Sequence, residues 1–276
     1  MKDLRNFGFD TNKKRYVIAE IGINHGGSLE TSKKLIDSAS KTGCDAVKFQ
    51  TYITEKRAPK GNKEIFDILK SCELPFKDFK TIKDYCEDKK ITFFSTPFDE
   101  ESIDYLESIN CPFYKIASFD TVNKKLLQKL ADTKKPIIMS VGMSSLKEIR
   151  EAYGIFRNNK ISILHCISSY PTEEKDANLD CMQTLKETFN CIIGHSDHTK
   201  EIKVPLYAAA MGAQIIEKHY MIDEKMECID SPVSITQKQM TNLVNELENL
   251  DIIQGKTKFG VRDSEKGTVI FRRFSK

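Results

Sequence analysis

No apolar run in this 276-residue chain approaches the roughly 20 residues that a membrane-crossing helix needs, so a bilayer span is not expected. The N-terminal Met1-Lys-Asp-Leu-Arg-Asn6 lacks the apolar core of a signal peptide. The net charge is only +3, and no run of Lys and Arg is interleaved with aromatic residues. Nucleic acid is therefore not an expected partner. No CxxC pair occurs among the eight cysteines. They are scattered, and Cys166 and Cys191 fall inside apolar runs, so they read as small buried hydrophobes in a reducing cytoplasm rather than as a disulfide framework. What remains is a cytoplasmic globular chain, 39% hydrophobic and 30% charged, long enough for two ordinary domains or one barrel-sized domain.

After a short segment over residues 1–15, the apolar run Tyr16–Ile21 reads as a first strand. Ser28 is a good N-cap for a helix carrying Leu29, Leu35, Ile36 and Ala39. Ala46–Gln50 reads as a second strand. Residues 51–73, with Pro59 and Gly61, read as an insertion holding one short helix over Glu64–Ser71, and Pro75 opens a charged amphipathic helix to Lys89. Further strands are expected at Thr92–Ser95, Phe113–Ile116, Pro136–Ser140, Ile161–His165, Cys191–Gly194 and Gln214–Glu217, each followed by a helix. Ser145-Leu-Lys-Glu148 and Thr236-Gln-Lys-Gln239 are capping-box sequences, the second opening a long helix to Asn249. Eight strands and eight principal helices in strict alternation predict an α/β fold, a (β/α)8 TIM barrel, as a single domain over 1–276 with a tail from 250 to 276. A doubly wound sheet would normally show GxGxxG after its first strand. Gly22-Ile-Asn-His-Gly-Gly27 does not match that pattern.

Polar residues mark the strand ends, where barrel active sites lie: Glu20, Lys48, Thr96, Lys115 with Ser118, Ser140, Ser168, Ser196 with His198, and His219. A lysine in an apolar strand is costly unless its ammonium meets an anion or snorkels to the rim. Lys48 and Lys115 converging on one mouth, with several hydroxyls, suggest an oxyanion ligand, a phosphate above all. His198 and His219 follow consecutive apolar runs joined by a helix, so their rings can face one cavity and make half of a divalent metal site; the plainer duty is capping a strand end. The acids Glu20, Asp120, Asp197 and Asp230 suit a metal ligand, an acceptor for sugar hydroxyls or a general base, with turn or cap duty as the plainer role of Asp120 and Asp197. His165 reads as core, while His25 and His195 are open.

Along nearly its whole length the chain resembles the N-acetylneuraminate (sialic acid) synthase family. The resemblance rests on Ile18-Ala-Glu-Ile-Gly-Ile-Asn-His25, Val47-Lys-Phe-Gln50, Ser95-Thr-Pro-Phe98, Tyr114-Lys-Ile-Ala-Ser118, Met139-Ser-Val-Gly-Met143, Leu164-His-Cys166, Tyr170-Pro-Thr172, Gly194-His-Ser-Asp-His-Thr199 and Glu217-Lys-His219. It implies condensation of phosphoenolpyruvate with an N-acylated amino-sugar aldehyde to a nonulosonic acid and phosphate. It also implies Mn²⁺ or Mg²⁺ on His198 and His219, with phosphoenolpyruvate on Lys48, Thr96, Lys115, Ser118, Ser140, Ser168 and Ser196. Glu20, Gln50, Tyr170 and Asp230 would face the sugar or the metal-bound water, with Glu20 the preferred base. Asp120 stands where sialic acid synthases usually carry Glu, and Ser118-Phe119-Asp120 looks closer to makers of pseudaminic or legionaminic acid. The family continues past an Arg-Arg sequence into an antifreeze-like domain that gives the partner's site an arginine, whereas this sequence stops at Phe271-Arg-Arg-Phe-Ser-Lys276. A homodimer, a separate antifreeze-like domain, or a local substitute such as Arg262 or Arg272 is therefore expected. Other expectations are a different phosphoenolpyruvate-dependent barrel aldolase, or a non-catalytic sugar- or phosphate-binding barrel.

Overall fold

Short polar side chains start most of the helices. Ser28 accepts from the Thr31 amide at 3.1 Å to open α1 (Leu29–Ala39), and Asp99 accepts from the Ser102 amide at 2.8 Å to open α5 (Glu100–Ser108). Both expected capping boxes form, Ser145 with Glu148 at α7 (Leu146–Ile155) and Thr236 with Gln239 at α10 (Gln237–Gln254). The remaining outer helices are α4 (Phe76–Asp88), α6 (Lys124–Asp132), α8 (Cys181–Thr188) and α9 (Lys203–Ala210).

The computed structural model describes residues 1–9, 11–256 and 258–273. Its strands are β1 (Tyr16–Gly22), β2 (Ala46–Thr51), β3 (Thr92–Pro97), β4 (Tyr114–Ile116), β5 (Ile137–Ser140), β6 (Ile161–Cys166), β7 (Ile192–Asp197) and β8 (Ile215–His219). All pair in parallel, each with its sequence neighbours, and β8 closes on β1. The chain is therefore a single-domain (β/α)8 barrel, as the alternation predicts.

Because side chains alternate along a strand, Lys48 and Gln50 share one face, and so do Glu217 and His219. Parallel register sets Glu20 beside both Lys48 and His219, and Ser196 beside Glu217. The inter-strand bonds thus assemble a polar layer from residues far apart in sequence. Beneath it, at the N-terminal ends of the strands, Phe9, Tyr16 and Phe113 pack with ring centroids 4.7 to 6.4 Å apart. The opening segment is consequently part of the barrel floor. Between sheet and helices lie buried rows such as Phe79, Ile82 and Cys86 of α4 and Leu126, Leu127 and Leu130 of α6.

The insertion after β2 differs from expectation in carrying two helices, α2 (Thr54–Arg57) and α3 (Lys63–Cys72). The first is a single turn, held because the Ile53 amide donates to Asp99 at 2.8 Å and the Thr54 amide to Glu73 at 3.1 Å. Such long-range pinning leaves no periodic signal. The last helix also runs past Asn249 to Gln254. Of the expected tail, Thr257 and residues 274–276 lie outside the described residues, and Asp263–Phe271 forms exposed 3₁₀ turns. Among the described residues no helix is long and apolar enough to cross a membrane.

Candidate active site

Lys48 and Lys115 are both buried, and both point at one carboxylate, Glu217, which belongs to the Glu217-Lys-His219 motif but is not among the expected site residues. Lys48 Nζ lies 3.6 Å from Glu217 Oε2 and 3.0 Å from Glu20 Oε2, while Lys115 Nζ lies 3.4 Å from Glu217 Oε1. Ser196 Oγ donates to Glu217 Oε1 at 2.8 Å, Lys48 Nζ to Thr96 Oγ1 at 3.2 Å, and Gln50 Nε2 to Glu20 Oε1 at 3.2 Å. Two ammonium groups and two carboxylates are thus held together away from bulk water, where charges interact far more strongly than at a surface.

Burial opposes every one of these charges, and the neighbours decide which survive. Burial raises Glu20, with only partial relief from Lys48. Glu217 meets the same burial, but Lys115, Lys48 and the Ser196 hydroxyl outweigh it and hold its carboxyl low. Lys48 resists its own burial because Glu20 and Glu217 flank it, and its ammonium is held up. Lys115 is pushed down by burial, with Glu217 its main support. Two carboxyls with opposed tendencies in one site are suited to different tasks, the raised one to accepting a proton and the lowered one to staying charged.

Hydroxyls face these charges across the cavity. Ser118, Ser140, Ser168, Ser196 and Thr96 all line it, and the buried Ser140 Oγ has no hydrogen-bond partner among the described residues. Their close approach depends on Gly142 in the loop after β5. Its amide donates to Ser118 Oγ at 2.9 Å, and a Cβ there would sit 2.5 Å from Ser168 Oγ and 2.9 Å from Ser118 Oγ. Only glycine leaves that space.

The imidazoles of His198, one residue past β7, and of His219, the last residue of β8, stand with ring centroids 5.3 Å apart. His219 therefore ends its strand rather than following it. His198 Nδ1 lies 2.7 Å from the Ile167 carbonyl oxygen, an arrangement in which Nδ1–H donates and Nε2 keeps its lone pair. Burial, then the neighbouring His219, pushes His198 down to about 3, so the ring is neutral. His219 Nδ1 lies 3.3 Å from Asp230 Oδ2 without hydrogen-bond geometry. Two imidazoles with an orienting carbonyl and a nearby carboxylate are donors of the kind a divalent metal takes. Among the described residues no group of three or more His, Cys, Asp or Glu is arranged to hold a metal ion. Tyr170 stands over His198 at 4.1 Å and edge-on to His219 at 5.8 Å.

The cavity lined by these residues measures about 220 Å³, several times the ~30 Å³ a liquid water occupies, and so admits a small molecule. It also includes Phe98 and Arg57, the latter from α2. Two expected members are elsewhere. Asp120 does not line the cavity, because its Oδ1 accepts from Asn123 Nδ2 at 3.0 Å in the turn before α6. Asp197 alternates away from Ser196 and His198, and meets Lys218 at 2.6 Å and His195 Nε2 at 3.1 Å behind the strands. That same pairing settles the orientation of His195. His165 is core, with Nε2 2.8 Å from the Ala177 carbonyl, and His25 is buried against Phe49. Arg262 and Arg272 are exposed in the tail; the arginine lining the cavity is Arg57.

The sequence pattern of the NeuB family matches residues 35–259. The chain belongs to the NeuB family. Its NeuB relatives include the N,N'-diacetyllegionaminic acid synthase of Legionella pneumophila, 36% identical over 91% of this chain and 76% of that protein. The pseudaminic acid synthase of Campylobacter jejuni is 33% identical over 96% of this chain and 82% of that one. A crystal structure of N-acetylneuraminic acid (sialic acid) synthetase from Leptospira borgpetersenii, in complex with citrate, superimposes with a TM-score of 0.90 at 41% identity, covering 95% of this chain and 92% of that one. The motif resemblance to sialic acid synthases is thereby borne out.

Proposed function

We propose that the protein condenses phosphoenolpyruvate with an N-acylated amino-sugar aldehyde, giving a nonulosonic acid and phosphate. The observation that carries this reading is one cavity holding two buried lysines, five serine and threonine hydroxyls and an imidazole pair. NeuB relatives named as legionaminic and pseudaminic acid synthases support it.

Lys48 and Lys115 take the carboxylate and phosphate of phosphoenolpyruvate, with Thr96, Ser118, Ser140, Ser168 and Ser196 donating to the remaining oxygens. Glu217 keeps both ammoniums charged and in place. Gln50, Tyr170 and Asp230 receive the sugar. C3 of phosphoenolpyruvate bonds to the sugar C1, water adds at C2, and phosphate leaves with its bridging oxygen. Glu20, raised by burial, accepts the proton that the water loses.

His198 and His219 would hold a divalent ion, Mn²⁺ or Mg²⁺, which when bound polarises the aldehyde oxygen. Replacing His219 with Ala is expected to weaken Mn²⁺ binding by about 10- to 100-fold, read by calorimetry with Mn²⁺ alone, while the circular dichroism stays unchanged. Undiminished Mn²⁺ binding would move the ion elsewhere. Catalysis itself is tested by phosphate release. Release from phosphoenolpyruvate that needs both an N-acyl amino sugar and Mn²⁺, and stops with chelator, is the expected result; release without sugar would contradict it. The cytoplasm is the proposed place of action. A homodimer or a separate antifreeze-like domain is the proposed cover for the exposed Phe119 and Tyr170 at the mouth.

A further inference from the structure

Arg57 is a charged group that the reaction as described does not use, although it lines the same cavity. Its guanidinium carbon lies 3.8 Å from the ring centroid of Phe98 and 4.4 Å from that of Tyr52. The two rings meet edge to face, 6.3 Å apart at 85°. Tyr52 is anchored by donating its hydroxyl to the Leu69 carbonyl at 2.9 Å, and the start of α2 is pinned by Asp99 and Glu73. The shelf under the guanidinium is therefore rigid.

Arg57 Nη1 is buried and makes no hydrogen bond among the described residues. No carboxylate among them approaches the guanidinium within ion-pair distance, although Asp230, Asp120 and Glu20 attract it from farther off. Leaving a buried donor unmade is expensive, so a donor held in this way on a cavity wall suits an acceptor that arrives with the ligand. Arginine only donates, in a planar fork. Phosphoenolpyruvate already has the two lysines and the hydroxyls. A sugar hydroxyl both donates and accepts, and the ionised Asp230 on the cavity wall only accepts, so it suits the hydroxyls. Of the sugar's two acceptor-only carbonyl oxygens, the aldehyde oxygen faces the imidazole pair, which leaves the carbonyl of the acyl amide for Arg57.

We propose that Arg57 receives the acyl carbonyl oxygen of the amino sugar and makes the site select N-acylated sugars over those with a hydroxyl in its place. This rests on the condensing-synthase reading for the identity of the sugar. Binding separates the two. In the full chain with Mn²⁺ and phosphoenolpyruvate, dissociation constants are measured for N-acetylmannosamine against mannose and N-acetylglucosamine against glucose. The parent is expected to favour the acetylated member of at least one pair, and Arg57→Gln to lose about 10- to 100-fold of that preference. Arg57→Lys restores part of it, and phosphoenolpyruvate binding, the control for an intact fold, does not change. Equal weakening of both members of a pair, weakened phosphoenolpyruvate binding alone, or a parent with no acetyl preference would each overturn the assignment. A parent that binds acetylated sugars selectively through Arg57 yet releases no phosphate would sink the synthase reading and leave this one standing.

Discussion

Glu217→Gln is expected to lower kcat/KM for phosphoenolpyruvate by about 10³-fold, the scale seen when one preorganised charge stabiliser is removed. Glutamine keeps the size of the side chain and can still accept from Ser196 Oγ, now 2.8 Å away, but it removes the charge between Lys48 and Lys115. Lys48 retains Glu20 at 3.0 Å. Lys115 loses its main support and is already pushed down by burial. A lysine works as an anion holder only while protonated, so lowering its pKa further removes binding as pH rises. The alkaline fall of kcat/KM should therefore begin at lower pH in the variant than in the parent. Glu217→Ala additionally breaks buried ion pairs and should destabilise the fold by about 3–5 kcal/mol in chemical denaturation. A variant with parental kinetics at every pH would show that the lysines do not depend on Glu217.

Glu20→Gln should act on a different step. Loss of a positioned base costs about 10²- to 10⁴-fold in kcat, and Glu20 is the cavity carboxylate that burial raises, which strengthens its hold on a proton. Glutamine preserves the shape beside Gln50 and Lys48, so KM for phosphoenolpyruvate should stay within a few-fold of the parent. The expected signature is thus a fall in kcat with little change in KM, opposite to the loss of phosphoenolpyruvate binding expected when Lys115 fails. An unchanged kcat in steady-state assays would assign the water proton to another acceptor.

Much of this arrangement is legible in the sequence itself. The barrel followed from strict alternation, and Lys48 and Lys115 stood out because ammonium groups interrupt apolar strands. Glu217 was harder, since it stands in a run of three polar residues, Glu217-Lys218-His219, of which only alternate members face inward. The same period of two, applied to Ser196-Asp197-His198, places Asp197 behind the sheet with Lys218. Asp120 carries no such signal, because a 3₁₀ turn over Ser118–Asp120 aims its side chains without strand alternation. Arg57 was invisible for another reason. Its helix is one turn long, and its place over Phe98 depends on contacts with Asp99 and Glu73, 46 and 19 residues away from their partners in the chain.

The decisive measurement is the oxygen isotope content of released phosphate, with the joined product followed by mass spectrometry. The reaction runs in ¹⁸O-water with phosphoenolpyruvate, Mn²⁺ and the best N-acyl amino sugar. Attack of water at C2 leaves the bridging oxygen on phosphorus, so the expected result is unlabelled phosphate in step with a product carrying the sugar and three added carbons. Labelled phosphate with free pyruvate and no joined product would contradict the proposal, because water would then have attacked phosphorus and no carbon–carbon bond would have formed.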